Sequence, residues 1–140
     1  MHTTNLTHAF ITVAADTRAS AGTPPPPKDP PTLAARCHAL IQADPYALTS
    51  DDVLFTAWAD AQGVPASDRD AARAAFFSKG QPCFRASPLT KTYGWGVHHD
   101  ARGRVALVPM EDAAYARFAT GVGPNGEPLQ VFAAMRARRG

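Results

Sequence analysis

The sequence predicts an α+β domain in which a small antiparallel sheet is covered by about five helices. A hairpin in the second half of the chain supplies the centre of the sheet, because residues 93–99 and 104–110 flank a turn in which Gly103 provides the positive φ. The β-branched and aromatic run at residues 9–14 predicts a strand that joins this hairpin. Apolar residues recur at helical spacing between these segments. The 140 residues are expected to form a single domain.

Three helices are predicted before the hairpin. The second and third begin with a capping-box pattern, in which a Ser or Thr cap is followed three residues later by an acid: Thr49 with Asp52, and Ser67 with Asp70. Gly63 is expected to end the second helix in the left-handed conformation. The predicted helices cover residues 32–43, 49–63 and 67–79.

Two further helices are predicted after the hairpin. One begins at Glu111 and Asp112, because acidic side chains are favourable at a helix N-terminus. The other covers residues 129–138, with the arginines Arg136, Arg138 and Arg139 near its C-terminus. Two irregular segments complete the domain, a proline-rich surface linker at residues 16–31 and a Gly/Pro loop at residues 121–128.

Composition and charge argue against several classes of protein, although nucleic-acid binding through a local basic patch stays open. The chain has 14 basic and 12 acidic residues, and a net charge of +2 is too small to indicate nucleic-acid binding. No leader pattern opens the sequence, and no apolar run is long enough to cross a bilayer. We therefore expect a cytoplasmic protein that does not contact a membrane, with both cysteines as reduced thiols.

Polar and reactive side chains are concentrated between residues 79 and 98, in a stretch interrupted by Gly and Pro. Long irregular connections of this kind are usually functional or disordered, and the aromatic residues argue against disorder. Cations beside aromatic rings can bind a phosphate, a carboxylate or a nucleobase, whereas the alternative for each cation is a solvated surface position. We expect an anion-binding site formed by Lys79, Arg85, Lys91, Tyr93 and His98.

The same stretch contains two candidate catalytic residues, Cys83 and His98. Lys79 and Arg85 are close to Cys83 in sequence, and nearby cations favour the reactive thiolate. The alternative for Cys83 is a packing role, since free cysteine is often buried. Strand alternation places Trp95 on the core face, so His98 is expected to face a cleft or solvent, where it could act as an acid or base.

No metal or other cofactor is predicted. His98 and His99 are adjacent in a strand, so their side chains point to opposite faces and cannot converge on one ion. No pair of Cys or His residues has the spacing of a zinc finger.

Four phrases of the chain resemble a family of small bacterial proteins that is known only as a domain of unknown function. They are TNLTHAFITVAAD, PYALTSDDVLF, FFSKGQPCFRASPLTKTYGWGVHHD and GRVALVPM, and the resemblance extends over residues 4–110. It implies a cytoplasmic bacterial protein, and it implies no activity.

The leading functional hypothesis is a binding or regulatory module that recognises a small anionic ligand through residues 79–98. A second hypothesis is a small enzyme that uses Cys83 or His98. A third is an interaction protein that forms a homodimer. The sequence leaves open whether the protein is an enzyme.

Overall fold

The computed structural model describes residues 1–137, and these residues form four strands and five α-helices. The strands are β1 (Ala9–Thr12), β2 (Trp95–His99), β3 (Val105–Pro109) and β4 (Gln130–Ala133). The helices are α1 (Leu33–Ala43), α2 (Ser50–Gln62), α3 (Arg69–Phe76), α4 (Pro88–Lys91) and α5 (Ala113–Ala119). The α+β class is therefore confirmed.

The strands form one sheet in the order β3-β2-β1-β4. The predicted hairpin is present, with β2 antiparallel to β3, and Gly103 in its turn has φ +76°. The predicted N-terminal strand is also present, and β1 pairs with β2 in antiparallel register, with Phe10 opposite His98. The sheet is mixed rather than wholly antiparallel, because β4 lies parallel to β1.

The helix predicted over residues 129–138 is wrong for the described residues. Gln130–Ala133 form β4, whose ladder along β1 begins with the amide of Gln130 donating to the carbonyl of His8. The free edge of β1 supplies hydrogen-bond partners for an extended chain, and this distant pairing outweighs the local helical pattern. Arg138 and Arg139 lie outside the described residues.

The first predicted capping box is confirmed and the second is wrong. Thr49 and Asp52 exchange side-chain and backbone hydrogen bonds at the start of α2, and Gly63 ends that helix with φ +68°. Ser67 instead lies in a short 3₁₀ turn, and α3 starts without a side-chain cap. Arg69 ties this junction back to α2 through a salt bridge of 2.8 Å to Asp60.

Both faces of the sheet are covered. On one face α1, α2 and α4 enclose the main core, which includes Ile11, Cys37 and Val97. On the other face α5 encloses a smaller cluster around Phe10 and Phe118. The middle of the sheet is therefore not exposed to solvent on either face, so the side chain of His98 is buried. No helix among residues 1–137 has the length and apolar character needed to cross a bilayer.

The proline-rich segment at residues 16–31 contains neither helix nor strand, yet it is held against the sheet. The indole nitrogen of Trp95 donates to the carbonyl of Thr23 at 2.8 Å, and the amide of Thr23 donates to the carbonyl of Tyr93. Gly94 is required at this contact, because it has φ +80° and a Cβ there would collide with the carbonyl of Ala21.

Candidate functional site

The predicted site segment is ordered by its own side chains. Phe84 is fully buried in the main core, and the hydroxyl of Thr90 donates to the Phe84 carbonyl at 2.6 Å. Ser87 caps α4 by accepting from the amide of Leu89, which is also fully buried. These anchors hold residues 81–88 as a wall beside α1 and α2.

A cavity of about 220 Å³, which we call the thiol cavity, lies between this wall and the two helices. Both cysteines of the chain line it, Cys37 from α1 and Cys83 from the wall. Its other lining residues are largely apolar and include Leu33, Leu54, Trp58 and Phe76. The sequence did not reveal this meeting of the two thiols, because 46 positions separate them.

The two cysteines differ in burial. Cys37 is only 4% exposed, and its burial raises the pKa of its thiol to about 12. It is therefore an uncharged thiol at neutral pH and acts as an apolar core group. Cys83 is half-buried, so a reagent can reach it.

Lys79 lies on a groove that adjoins the thiol cavity. The groove has a volume of about 440 Å³ and shares Trp58, Phe76 and Gln81 with the cavity lining. The Lys79 side chain is exposed, and no carboxylate among residues 1–137 forms a salt bridge with it. A cation thus stands beside an apolar cavity.

A second groove, which we call the Arg85 groove, is also lined by Cys83. Its volume is about 230 Å³. Since Cys83 lines both this groove and the thiol cavity, the two spaces are neighbours. The residues that line the Arg85 groove are Thr3, Thr4, Asn5, Leu6, Cys83, Arg85 and Phe132.

Arg85 is anchored to the end of β4 and to the residues that follow it. Its Nε donates to the carbonyl of Ala133 at 2.8 Å, and its own carbonyl accepts from the amide of Met135 at 2.7 Å. Arg85 forms no salt bridge within the described part of the chain. The guanidinium is therefore oriented and carries an uncompensated positive charge.

Asp51 organises the N-terminal wall of the Arg85 groove. Its carboxylate is buried, at 7% exposure, and accepts hydrogen bonds of 2.6–2.7 Å from Thr3 and Thr4. The amide of Asp51 in turn donates to Oδ1 of Asn5, which orients that side chain. Asp51 thus tethers the N-terminal segment to the start of α2.

The expectation that His98 faces a cleft or solvent is wrong, although the predicted burial of Trp95 is confirmed. His98 is only 1% exposed because α5 covers its face of the sheet. Its Nδ1 lies 2.8 Å from the hydroxyl of Tyr46, and the Phe118 ring lies 4.9 Å away between centroids. Its Nε2 has no hydrogen-bond partner among the described residues.

Electrostatics keep His98 neutral. Burial lowers the pKa of the imidazole below its ordinary value, and the positive charge of a protonated His8 acts in the same direction. The carboxylates of Glu127 and Asp100 oppose this shift without overcoming it. His98 is thus a buried imidazole whose neutral form the fold favours.

Two residues, one of them the hydrogen-bond partner of His98, have unusual backbone conformations. Tyr46 has φ +62° and His8 has φ +45°, and they are the non-glycine residues with positive φ in the described chain. Such conformations are uncommon for side chains of this size and persist only where surrounding contacts enforce them. At Tyr46 the enforcing contacts are the bond to His98 and a backbone bond to Val105.

The five residues predicted to bind an anion do not meet at one place. Lys79 lies on the groove that adjoins the thiol cavity, and Arg85 lies on a separate groove that it shares with Cys83. His98 is enclosed beneath α5, and Tyr93 is partly buried against the main core. The remaining cation, Lys91, lies at the end of α4. Within residues 1–137, no group of three or more His, Cys, Asp or Glu side chains is placed to hold a metal ion.

Comparison with known proteins identifies the family. No curated protein and no solved structure gives a significant match to the chain. A family model does match, and the match extends over residues 1–140. Because the match covers the whole chain, the protein belongs to the family of unknown function DUF6157.

Proposed function

We propose that the protein is a binding module for a small anionic ligand, and that the Arg85 groove receives a carboxylate. The observation that supports this function is the anchored guanidinium of Arg85, which no acidic side chain in the described chain neutralises.

The anchoring of Arg85 favours binding in two ways. The bond from Nε to Ala133 leaves the two terminal nitrogens of the guanidinium for a ligand, and their fork matches the two oxygens of a carboxylate. Because the side chain is already held, less rotational freedom is lost on binding.

Neighbouring groups complete the groove. The side-chain NH₂ of Asn5 is available to a ligand, since the Oδ1 atom accepts the bond from Asp51. The carboxylate of Asp51 does not compete for the guanidinium, because hydrogen bonds from Thr3 and Thr4 occupy it. The groove thus presents donors and one positive charge.

A second candidate function is a small enzyme that uses Cys83. The specific observation in its favour is that Cys83 lines the Arg85 groove, so its thiol stands beside the position proposed for the anion. His98 is the weaker candidate for catalysis, because it is enclosed in the core.

Isothermal titration with acetate and with phosphate tests the proposed function. Arg85→Gln is the informative variant, because glutamine keeps a donor for the Ala133 carbonyl and removes the charge. Loss of a charge-assisted bond should weaken binding by about tenfold or more. Arg104→Gln is the matched control, since Arg104 is an exposed arginine in the hairpin turn region. The proposal fails if neither anion binds the wild type, or if Arg85→Gln binds as the wild type does.

A further inference from the structure

We infer that the thiol cavity is a second binding site, which takes a small carboxylate with an apolar body, either a short alkyl chain or an aromatic ring. The apolar body would occupy the cavity and the carboxylate would reach Lys79. This site is separate from the Arg85 groove and does not depend on the function proposed for it.

The size of the cavity suits such a body. An apolar cavity of about 150 Å³ is sufficient to bind benzene. The thiol cavity, at about 220 Å³, is larger than that. The cavity opens to solvent, so an apolar body of matching shape would remove the apolar side chains that line it from water, and this burial favours binding.

The walls of the cavity favour an apolar occupant. Trp58 and Phe76 form an aromatic side, with ring centroids 5.1 Å apart. The amide nitrogen of Gln81 already donates to the carbonyl of Phe76 at 2.7 Å, so it does not need a ligand atom. The thiol of Cys37 is uncharged, because its burial raises its pKa to about 12. A hydrocarbon therefore leaves neither the amide nitrogen of Gln81 nor the thiol of Cys37 newly unpaired.

The charge at the edge of the cavity determines the head group. Lys79 lies on the adjoining groove, whose other lining residues carry no charge. The two spaces share Trp58, Phe76 and Gln81, so a ligand that extends out of the cavity enters the groove of Lys79. An ammonium without a salt bridge in residues 1–137 attracts an anionic head group and disfavours a cationic one.

Titration of Arg85→Gln with acetate, butyrate and hexanoate tests the inference, because this variant lacks the cation proposed to bind acetate in the Arg85 groove. Each methylene buried in the cavity should tighten binding about fourfold, so hexanoate should bind at least about tenfold more tightly than acetate. The neutral analogue 1-hexanol should bind more weakly than hexanoate. Lys79→Gln should remove that difference, whereas Lys91→Gln should not, because Lys91 does not line the cavity or its groove.

The variant Arg85→Gln separates the two sites. Hexanoate should bind this variant with its affinity nearly unchanged, even though acetate binding at the Arg85 groove is lost. If hexanoate binding disappears together with acetate binding, the Arg85 groove holds both ligands and the inference is overturned. If acetate never binds and hexanoate does, the proposed function fails while the thiol cavity stands as a site.

Two further measurements locate the hexanoate. Ala86 lines the cavity, so Ala86→Leu should fill it and reduce the hexanoate affinity to that of acetate. Cys83 also lines the cavity, so in Arg85→Gln, where the neighbouring groove no longer holds a carboxylate, hexanoate should slow its alkylation by iodoacetamide, and acetate should slow it less. This second measurement does not depend on the folding of Ala86→Leu. In Arg85→Gln, equal affinities for acetate and hexanoate, or equal alkylation rates with either ligand, would exclude the cavity as a binding site.

Discussion

The hydroxyl of Tyr46 lies 2.8 Å from Nδ1 of His98, within the face of the sheet that α5 covers. Tyr46 reaches this position from the connection between α1 and α2, where its φ of +62° turns the chain toward Val105 on the sheet edge. The two rings meet edge to face, with centroids 5.6 Å apart. One irregular residue thus satisfies a polar atom in the middle of the sheet.

We predict that Tyr46→Phe lowers the free energy of unfolding by about 1–3 kcal/mol, because it leaves Nδ1 of His98 buried and without a partner. Phenylalanine keeps the contact with the His98 ring, so the loss of stability measures the contribution of the Tyr46 hydroxyl. Urea unfolding at neutral pH measures the change. Tyr93→Phe is the control, since its hydroxyl makes no hydrogen bond among the described residues, and a loss of equal size in this variant would contradict the explanation.

Stability should fall as the pH falls below 6.5. Burial lowers the pKa of His99 from 6.5 to about 4, and it lowers the pKa of His98 as well. Above pH 6.5 both imidazoles are neutral in the folded and unfolded chains, so this contribution is fully present. Between pH 6.5 and about 4 the unfolded chain binds protons that the folded chain does not, and His99 alone accounts for a loss of about 3 kcal/mol.

Urea unfolding over this pH range measures the dependence. The variant His99→Leu should have a flatter profile, because leucine removes the buried group that must be protonated. Replacement of the exposed His2 by Gln should leave the profile unchanged. If the wild-type stability is constant from pH 6.5 to about 4.5, the fold does not lower the pKa of either buried imidazole, and the prediction is wrong.

Removal of the Asp51 carboxylate should release the N-terminal segment. In Asp51→Ala, Thr3 and Thr4 lose hydrogen bonds of 2.6–2.7 Å, and we expect a loss of stability of about 2–3 kcal/mol, since this buried acceptor is charged. Hydrogen exchange of residues 2–6 should become faster than in the wild type. Asp60→Ala removes only a partly exposed salt bridge to Arg69, so it should cost about 1 kcal/mol or less.

Cys83 should react faster than Cys37 with iodoacetamide in the folded protein. Cys83 is half-buried, whereas Cys37 is nearly enclosed and burial raises its pKa to about 12. Peptide mapping by mass spectrometry gives the two rates, and in urea they should become similar. A faster reaction at Cys37 in the folded protein would mean that α1 opens more readily than the wall at residues 81–88.

Several elements could be predicted from the sequence because their determining contacts are local. Thr49 and Asp52 cap α2 across three positions, Asp112 caps α5, and Gly103 closes the hairpin turn. In each case the interacting residues are close together in the sequence, so the order of residue types is sufficient to predict the interaction. The α+β class followed from the succession of such elements.

What only the tertiary structure decided depends on residues that are distant in sequence. Strand β4 forms because β1 offers it an edge, His98 is buried because α5 and Tyr46 cover it, and the two thiols meet because α1 lies beside residues 81–88. The sequence by itself determined the local elements and the residue types available for a site. Which side chains share a cavity depends on the packing of these elements, because hydrophobic burial has no direction and an apolar pattern does not specify the element that it packs against.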